Sequence, residues 1–137
     1  MIRRATPEDA AAIAPLLGEL GYPSTAAQVE ARLAALPANE LVLVAEVDGQ
    51  VAGLAGLRVE PLLELDAPWG RLTALVVGSQ WRGRGVGESL VRAVEEEARA
   101  RGCEGVVLSS GNQRVDAHAF YERVGYEHTG RRFSKRL

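Results

Sequence analysis

A glycine-rich segment lies between two stretches with different hydrophobic patterns. Before it, the apolar residues 72–77 predict a buried strand, and after it, apolar side chains at helical spacing predict a helix over residues 86–101. The segment itself reads Arg82-Gly83-Arg84-Gly85-Val86-Gly87. Backbone N–H groups at the start of a helix attract anions, and glycine has no Cβ to keep a phosphate away. The order strand, glycine loop and helix therefore predicts a binding site for a phosphate group.

Two common phosphate-binding motifs do not fit this loop. A Walker loop has four residues between its glycines and then Gly-Lys-Ser or Gly-Lys-Thr, which this sequence lacks. A dinucleotide-binding loop reads Gly-x-Gly-x-x-Gly, but the last of these positions, counted from Gly83, is Glu88. The charge of Glu88 would repel a pyrophosphate. The loop therefore matches neither motif, while Arg82 and Arg84 offer charge-assisted hydrogen bonds to an anion.

The first half of the chain predicts two helices and a hairpin. Residues 2–4 are a strand candidate, Thr6 begins a helix that ends near Leu20, and Ser24 or Thr25 begins a second helix.

An Asp48-Gly49 pair between the apolar stretches 41–47 and 50–59 predicts an antiparallel hairpin, because these residues accept the positive φ angles of a tight turn. Gly53 and Gly56 in the second strand indicate a β-bulge or a close backbone approach, and the sequence leaves both open.

Further elements follow the glycine loop and its helix. They are a strand over residues 105–109, a helix over 115–124, and short strands over 126–129 and 132–135. A strand, crossover helix and strand imply parallel neighbours, whereas the hairpin implies antiparallel ones. We therefore predict an α+β fold in one domain spanning residues 1–137. Its mixed, mainly antiparallel sheet should have about six or seven strands, with about four flanking helices.

Composition limits the classes of function. The chain has 137 residues and a formal net charge of −2, which argues against a protein that binds nucleic acid through many phosphate contacts. No run reaches the roughly 18 apolar residues of a membrane span. The start of the chain turns acidic at Glu8 and Asp9 before any apolar core of a signal peptide appears, and the single cysteine, Cys103, cannot form an internal disulfide. We therefore expect a cytoplasmic protein. Cys103 is expected to pack rather than to act as a nucleophile.

Two motifs together resemble those of the GNAT superfamily of N-acetyltransferases. The first is Arg-x-x-Gly-x-Gly in residues 82–87, which resembles the family's acetyl-coenzyme A (acetyl-CoA) motif. The second is a helix with an aromatic pair before a glycine turn, here Phe120-Tyr121 before Gly125. The resemblance extends over essentially the whole chain. It implies an N-acetyltransferase with the GNAT fold, with acetyl-CoA as co-substrate and no metal.

The resemblance also implies roles for individual residues. In the family, the strand before the loop pairs with the pantetheine amides of the cofactor, and the loop amides hold its pyrophosphate. The positions that correspond here are Leu75, Val76, Val77, Arg82, Gly83, Arg84, Gly85, Val86 and Gly87. Where family members often carry an asparagine, this chain has Arg114, so Asn112 is the nearest candidate for that cofactor contact. His118 is open between a cofactor contact and a packed or surface position.

Tyr121 falls on the family's tyrosine that protonates the departing thiolate. A phenol has a pKa of about 10 and a thiol of about 8.5, so hydrogen bonding to the thiolate is easier than full proton transfer. The alternative for Tyr121 is an aromatic ring that packs under the cofactor.

The general base is missing from its usual place. Many family members carry a glutamate on the strand before the loop, but residues 72–77 contain no acid. Glu64 and Asp66 are the nearest candidates, and Glu60 is a third, each acting directly or through water. A substrate amine of low pKa would need little help from any base.

The acidic loop also favours a cationic acceptor. We expect the primary amine of a small cationic molecule, with specificity set by residues 17–25 and by this loop. The alternatives are peptide or protein amines, and a non-catalytic sensor module that binds acyl-CoA. Family analogy implies a possible homodimer through the C-terminal strands, and we expect no nucleic-acid or membrane partner.

Overall fold

The computed structural model describes residues 1–110 and 115–137. Its helices and strands are β1 (Ile2–Arg4), α1 (Ala10–Leu20), α2 (Ala26–Ala34), β2 (Glu40–Val47), β3 (Gln50–Glu60), β4 (Trp69–Val77), α3 (Val86–Ala100), β5 (Val106–Val107) and α4 (Val115–Arg123). Short 3-10 turns lie at Pro7–Asp9 and Ser79–Trp81. The chain divides into two compact units, Met1–Val107 and Leu108–Leu137.

The first unit is built on a five-stranded sheet in the order β1-β2-β3-β4-β5. The first four strands pair antiparallel with their neighbours, and β4 pairs with β5 in parallel. The parallel pair follows from the crossover of the chain through α3. The predicted α+β class, with its mixed and mainly antiparallel sheet, is confirmed. The described residues form five strands rather than six or seven, together with four helices.

The two strands predicted over residues 126–129 and 132–135 are wrong. The structure gives residues 126–137 no regular secondary structure, and the side chains from Glu127 onward are exposed. Four of the last seven residues are arginine or lysine. A strand is stabilised by backbone pairing and by burial of at least one face. This charged segment buries neither face and therefore does not form a strand.

The hairpin turn has the geometry predicted from the sequence. Asp48 and Gly49 have φ angles of 51° and 75°, as the two central residues of a type I′ turn require. The turn pairs Val47 with Gln50, and a register shift between Ala45 and Glu46 then places Val44 opposite Leu54. Both side chains are buried, which aligns the apolar face of the hairpin with the core.

Helices cover both faces of the sheet. The core on the side of α1 and α2 consists of Ala10, Ile13, Leu16, Val29, Val44, Leu54 and Val76. Helix α3 packs on β3 and β4 through the buried residues Val86, Leu90, Val91, Val94 and Ala98. Because successive residues of a strand face opposite sides, Gly53 faces away from the α1 core, and its nearest side chain is Leu90 of α3.

The two glycines inside β3 serve both purposes that the sequence left open. A Cβ at Gly53 would lie 2.7 Å from the carbonyl oxygen of Val76, so Gly53 permits a close backbone approach. The register between β3 and β4 shifts after Gly56, because Thr73 is an extra, unpaired residue on β4. A Cβ at Gly56 would overlap the Thr73 hydroxyl. The strand therefore contains a close approach at one glycine and faces a bulge at the other.

A buried ion pair joins the edge strand β1 to the turn before α1. Arg3 donates hydrogen bonds of 2.8 and 2.9 Å to the Asp9 carboxylate, and the backbone N–H of Thr6 donates a third of 2.8 Å. The side chain of Asp9 is buried. These bonds, led by the one from Arg3, lower the pKa of Asp9 from 3.8 to about 2.

We expect this ion pair to make the free energy of unfolding fall at low pH. A carboxylate with a lowered folded-state pKa stabilises the fold above its unfolded pKa, and the stabilisation is lost as the pH falls through the folded pKa. Asp9 should therefore contribute about 2 kcal/mol that disappears between about pH 4 and about pH 2. Urea titrations at a series of pH values measure it.

The variant Asp9→Asn should be less stable at neutral pH and should lack this part of the pH dependence. Asp48→Asn is a matched control, because Asn-Gly suits the exposed hairpin turn as well as Asp-Gly does. If Asp9→Asn kept the full wild-type slope between pH 4 and pH 2, about as measured for Asp48→Asn, the assignment to Asp9 would be wrong.

Candidate active site

Strand β4 has one paired edge and one largely open edge. It pairs with β3 along its whole length, but its parallel pairing with β5 stops at Arg71. Among the described residues, no strand pairs with the second half of β4 on this side. The N–H of Gly78 donates to the carbonyl of Ala52 on β3 at 2.8 Å. Because hydrogen-bonded positions alternate along an antiparallel pair, this bond fixes the direction of each backbone group before it.

The alternation separates the roles of Leu75, Val76 and Val77. Val76 directs its backbone groups to β3, and its side chain belongs to the α1 core. Leu75 and Val77 direct their N–H and C=O groups to the open edge. The carbonyl of Val77 accepts a hydrogen bond of 3.3 Å from the Nε of Arg82. An extended ligand lying along this edge would therefore meet the backbone of Leu75 and Val77.

The glycine loop begins after β4. The 3-10 turn at Ser79–Trp81 leads into it, and it ends at the first turn of α3. Gly83 and Gly85 have φ angles of 78° and 79°, where a residue with a Cβ is strained. A Cβ at either position would have no atom within 4 Å. Backbone conformation rather than crowding therefore requires glycine here, and the space around the loop is open.

The backbone N–H groups of the loop have no close acceptor among the described residues. In the part of the chain that the structure describes, the N–H groups of residues 82–88 donate to no backbone or side-chain oxygen. Those of residues 86–88 lie in the first turn of α3, where no helical carbonyl is available and the helix dipole is positive. Such groups bind phosphate oxygens. The geometry therefore supports the anion site that the sequence predicts.

The two loop arginines have different surroundings. The guanidinium of Arg84 lies over the indole ring of Trp81, 5.1 Å from its centroid, in a cation–π contact. Trp81 is buried, and within the described residues no carboxylate pairs with Arg84. Arg82 instead contacts a carboxylate, since its Nη2 lies 3.4 Å from Oε1 of Glu19. Arg84 is thus the arginine whose charge is available to an anion.

The three candidate bases also differ in their surroundings. Glu60, at the end of β3, pairs with Arg71 at 3.1 Å and with Arg58 at 3.7 Å. Glu64 and Asp66 lie on the exposed loop between β3 and β4. No ion pair among the described residues involves either of them. Their negative charge is therefore uncompensated, whereas that of Glu60 is held between two arginines.

Tyr121 lies on α4 in the second unit, Leu108–Leu137. This helix ends at Arg123, and Gly125 in the turn that follows has a φ of 100°. The N–H of Tyr126 donates to the carbonyl of Tyr121 at 2.9 Å, and that of Gly125 donates to Glu122 at 3.1 Å, which together form a Schellman cap. The Tyr121 ring makes edge contacts with Phe120 and Tyr126, with centroids 5.4 and 6.1 Å away. The helix end thus fixes the ring that the resemblance marks as catalytic.

The remaining residues singled out in the sequence are Asn112, His118 and Cys103. Asn112 lies outside the described residues, and His118 lies on α4, one turn before Tyr121. Burial raises the pKa of the Cys103 thiol, in agreement with a packing role. Residues 1–110 and 115–137 contain no cluster of three or more side chains suited to a metal, and no helix there is long and apolar enough to cross a membrane.

Sequence reasoning missed three residues that shape this site. Trp81 is the first, because its ring contacts the guanidinium of Arg84, and its place next to Arg82 was the available signal. Thr73 forms the bulge in β4, which Gly56 on the neighbouring strand indicated. Glu19 contacts the loop across 60 residues of sequence, and no local pattern predicts that contact.

Comparison with protein families and curated relatives gives a consistent result. The acetyltransferase (GNAT) family model matches residues 12–126. An aminoalkylphosphonate N-acetyltransferase from Salmonella typhimurium is 36% identical over 142 residues, covering 99% of this chain and 90% of the relative. An aminoglycoside N(6′)-acetyltransferase type 1 from Stenotrophomonas maltophilia is 35% identical over 136 residues, covering 95% and 88%.

Solved structures show the same fold. A GNAT family acetyltransferase from Staphylococcus aureus superposes with a TM-score of 0.86 at 25% identity, covering 100% of this chain and 98% of the other. An aminoglycoside N-acetyltransferase in complex with CoA superposes with a TM-score of 0.85 at 19% identity, covering 100% and 93%.

Proposed function

Because the chain belongs to the acetyltransferase (GNAT) family, we propose that it moves the acetyl group of acetyl-CoA to the primary amine of a small molecule. The protein is an acetyl-CoA-dependent N-acetyltransferase. The open edge of β4 is the main evidence for the proposed acetyl-CoA site. The strand is followed by the glycine loop, whose N–H groups have no acceptor among the described residues. Two relatives named for small amines, matched along most of their length, support the acceptor class.

The residues present fit acetyl-CoA. The pantetheine amides would pair with Leu75 and Val77, since Val76 directs its backbone groups to β3. The pyrophosphate would accept hydrogen bonds from the loop N–H groups, which come from Arg82, Gly83, Arg84, Gly85, Val86 and Gly87. The guanidinium of Arg84, held over Trp81, would meet a phosphate as well. We assign no contact to Asn112.

Transfer exchanges a thioester for an amide. Acetyl-CoA supplies an activated acyl carbon, the amine nitrogen forms a bond to it, and the C–S bond breaks to release a thiolate. We assign Tyr121 to hydrogen bonding of that thiolate. Its phenol is a weaker acid than the thiol, so it stabilises the leaving sulfur more readily than it gives up its proton.

The attacking amine must also lose a proton. An amine of pKa about 10.4 is only about 0.1% unprotonated at pH 7.4, whereas one of pKa about 7.7 is roughly one-third unprotonated. We propose Glu64 as the base, directly or through water, with Asp66 as its neighbour on the same loop. Glu60 is the weakest of the three candidates, because Arg58 and Arg71 already pair with its carboxylate.

The same loop supports a cationic acceptor. Glu64 and Asp66 are exposed and have no ion-pair partner among the described residues, so their field attracts a positively charged amine. A peptide or protein amine is the competing acceptor.

A homodimer, a cytoplasmic location and a single domain over residues 1–137 stay predictions. The homodimer was expected through C-terminal strands, and residues 126–137 have no regular secondary structure.

An amine panel tests the proposed function. The protein is incubated with acetyl-CoA and, in separate wells, aminoalkylphosphonates, aminoglycosides, polyamines and peptides with free N-termini, while thiol release is followed. We expect release with at least one small amine. Release with peptides alone would replace the small-molecule acceptor by a peptide. Binding of CoA without release from any of these amines would contradict the proposed acceptor class.

Removing the acids should change the pH–rate profile. If Glu64 is the base, Glu64→Gln lowers kcat/KM on the order of a hundredfold near neutral pH, because the amine then depends on its own ionisation. Glu104→Gln, an exposed acid outside this loop, serves as the control. Wild-type profiles in Glu60→Gln, Glu64→Gln and Asp66→Asn would rule out a base on this loop and favour an amine of low pKa.

The variant Tyr121→Phe tests the acid role, because it keeps the ring contacts with Phe120 and Tyr126 and removes only the hydroxyl. We expect kcat to fall on the order of a hundredfold with the Kd for CoA unchanged. Tyr126→Phe, on the neighbouring ring, is the matched control. An unchanged kcat in Tyr121→Phe would leave the ring with a packing role alone.

A further inference from the structure

Glu19 joins helix α1 to the glycine loop. It lies in the last turn of α1, and its Oε1 accepts a hydrogen bond of 3.1 Å from the backbone N–H of Ser79. The same oxygen accepts from Nη2 of Arg82 at 3.4 Å. Arg82 also donates through Nε to the carbonyl of Val77 at 3.3 Å. One carboxylate oxygen therefore connects α1 with the 3-10 turn and with the first residue of the loop.

A carboxylate in this place is electrostatically unfavourable for the proposed ligand. Its negative charge opposes a pyrophosphate bound at the loop, and it offsets the charge of Arg82, the first arginine of the motif. If Glu19 made no structural contribution, its charge would only weaken the binding of the pyrophosphate. The contacts of Glu19 instead restrain the backbone at Ser79 and the side chain of Arg82, on the two sides of the turn that precedes Gly83.

We propose that Glu19 is a positioning residue for acetyl-CoA. It holds the turn between Val77 and Gly83 so that the loop N–H groups are arranged for the pyrophosphate before the ligand arrives. A preorganised loop loses less conformational freedom on binding, and this improves affinity. Glu19 touches no reacting atom. The inference rests on the proposed assignment of the loop to the pyrophosphate.

Binding of CoA itself, measured by calorimetry, tests the proposal without any acceptor. Glu19→Ala should raise the Kd for CoA about tenfold, because the turn loses its anchor. Glu19→Gln should stay within about twofold of the wild type, because an amide oxygen can accept the same two hydrogen bonds. Glu30→Ala, which removes an exposed acid from α2, should leave the Kd unchanged. In steady-state assays, Glu19→Ala should raise the KM for acetyl-CoA while kcat at saturation stays close to the wild-type value.

Two outcomes overturn the proposal. A lower Kd in both Glu19→Ala and Glu19→Gln would show that Glu19 only repels the ligand, and an unchanged Kd in Glu19→Ala would show that the contacts do not matter.

Arg82→Ala removes the other partner of the Glu19–Arg82 contact. This variant keeps the proposal testable if Glu19→Ala is unstable. In the double variant, the effects of Arg82→Ala and Glu19→Ala on the free energy of CoA binding should be less than additive, because the two residues are in contact. Full additivity would show that they act independently.

Arg84→Ala separates this inference from the loop assignment. If Arg84→Ala and Gly85→Ala raise the Kd while Glu19→Ala does not, the loop binds CoA and only the role of Glu19 fails. If none of these three variants changes the Kd, the assignment of the loop to the pyrophosphate fails as well.

Discussion

The pairing of β3 with β4 supports the rest of the donor site. It runs along the whole of β4, whereas β5 pairs with only two residues of that strand. The close approach at Gly53 draws the two backbones together beside Val76, and the bulge at Thr73 changes the register where the parallel pairing ends. As a result, the second half of β4 is held firmly on one side and is open on the other. The loop and α3 begin from the end of this strand.

The loop is organised by conformation and by contacts at its two arginines. Positive φ angles at Gly83 and Gly85 turn the chain into α3 and leave its first N–H groups without acceptors. The ring of Trp81 contacts the guanidinium of Arg84, and Glu19 on α1 contacts Arg82. Two side chains of the same type, two residues apart, therefore have distinct surroundings. The motif supplies both charges, and the fold determines which of them faces an anion.

Features with local causes could be predicted from the sequence. The Asp48-Gly49 turn depends on two adjacent residues, and α3 depends on its own apolar spacing, so both were located closely. The contact of Glu19 with Ser79 depends on how the sheet brings distant segments together, and no pattern near Glu19 indicates it. The predicted C-terminal strands did not form, because residues 126–137 have no partner strand among the described residues and are largely exposed. The roles proposed for Tyr121 and Glu64 follow from the chemistry of their side chains and from the resemblance to the family.

The open edge of β4 also links the lifetime of the protein to the supply of its donor. The backbone groups of Leu75 and the N–H of Val77, which a ligand would satisfy, have no partner strand on this edge among the described residues. A ligand that binds the folded chain and not the unfolded one raises the free energy of unfolding by mass action, by about 2.7 kcal/mol at a concentration one hundred times its Kd. A cell rich in acetyl-CoA would then hold more of this protein in its folded form than a starved cell, with no change in the rate of synthesis.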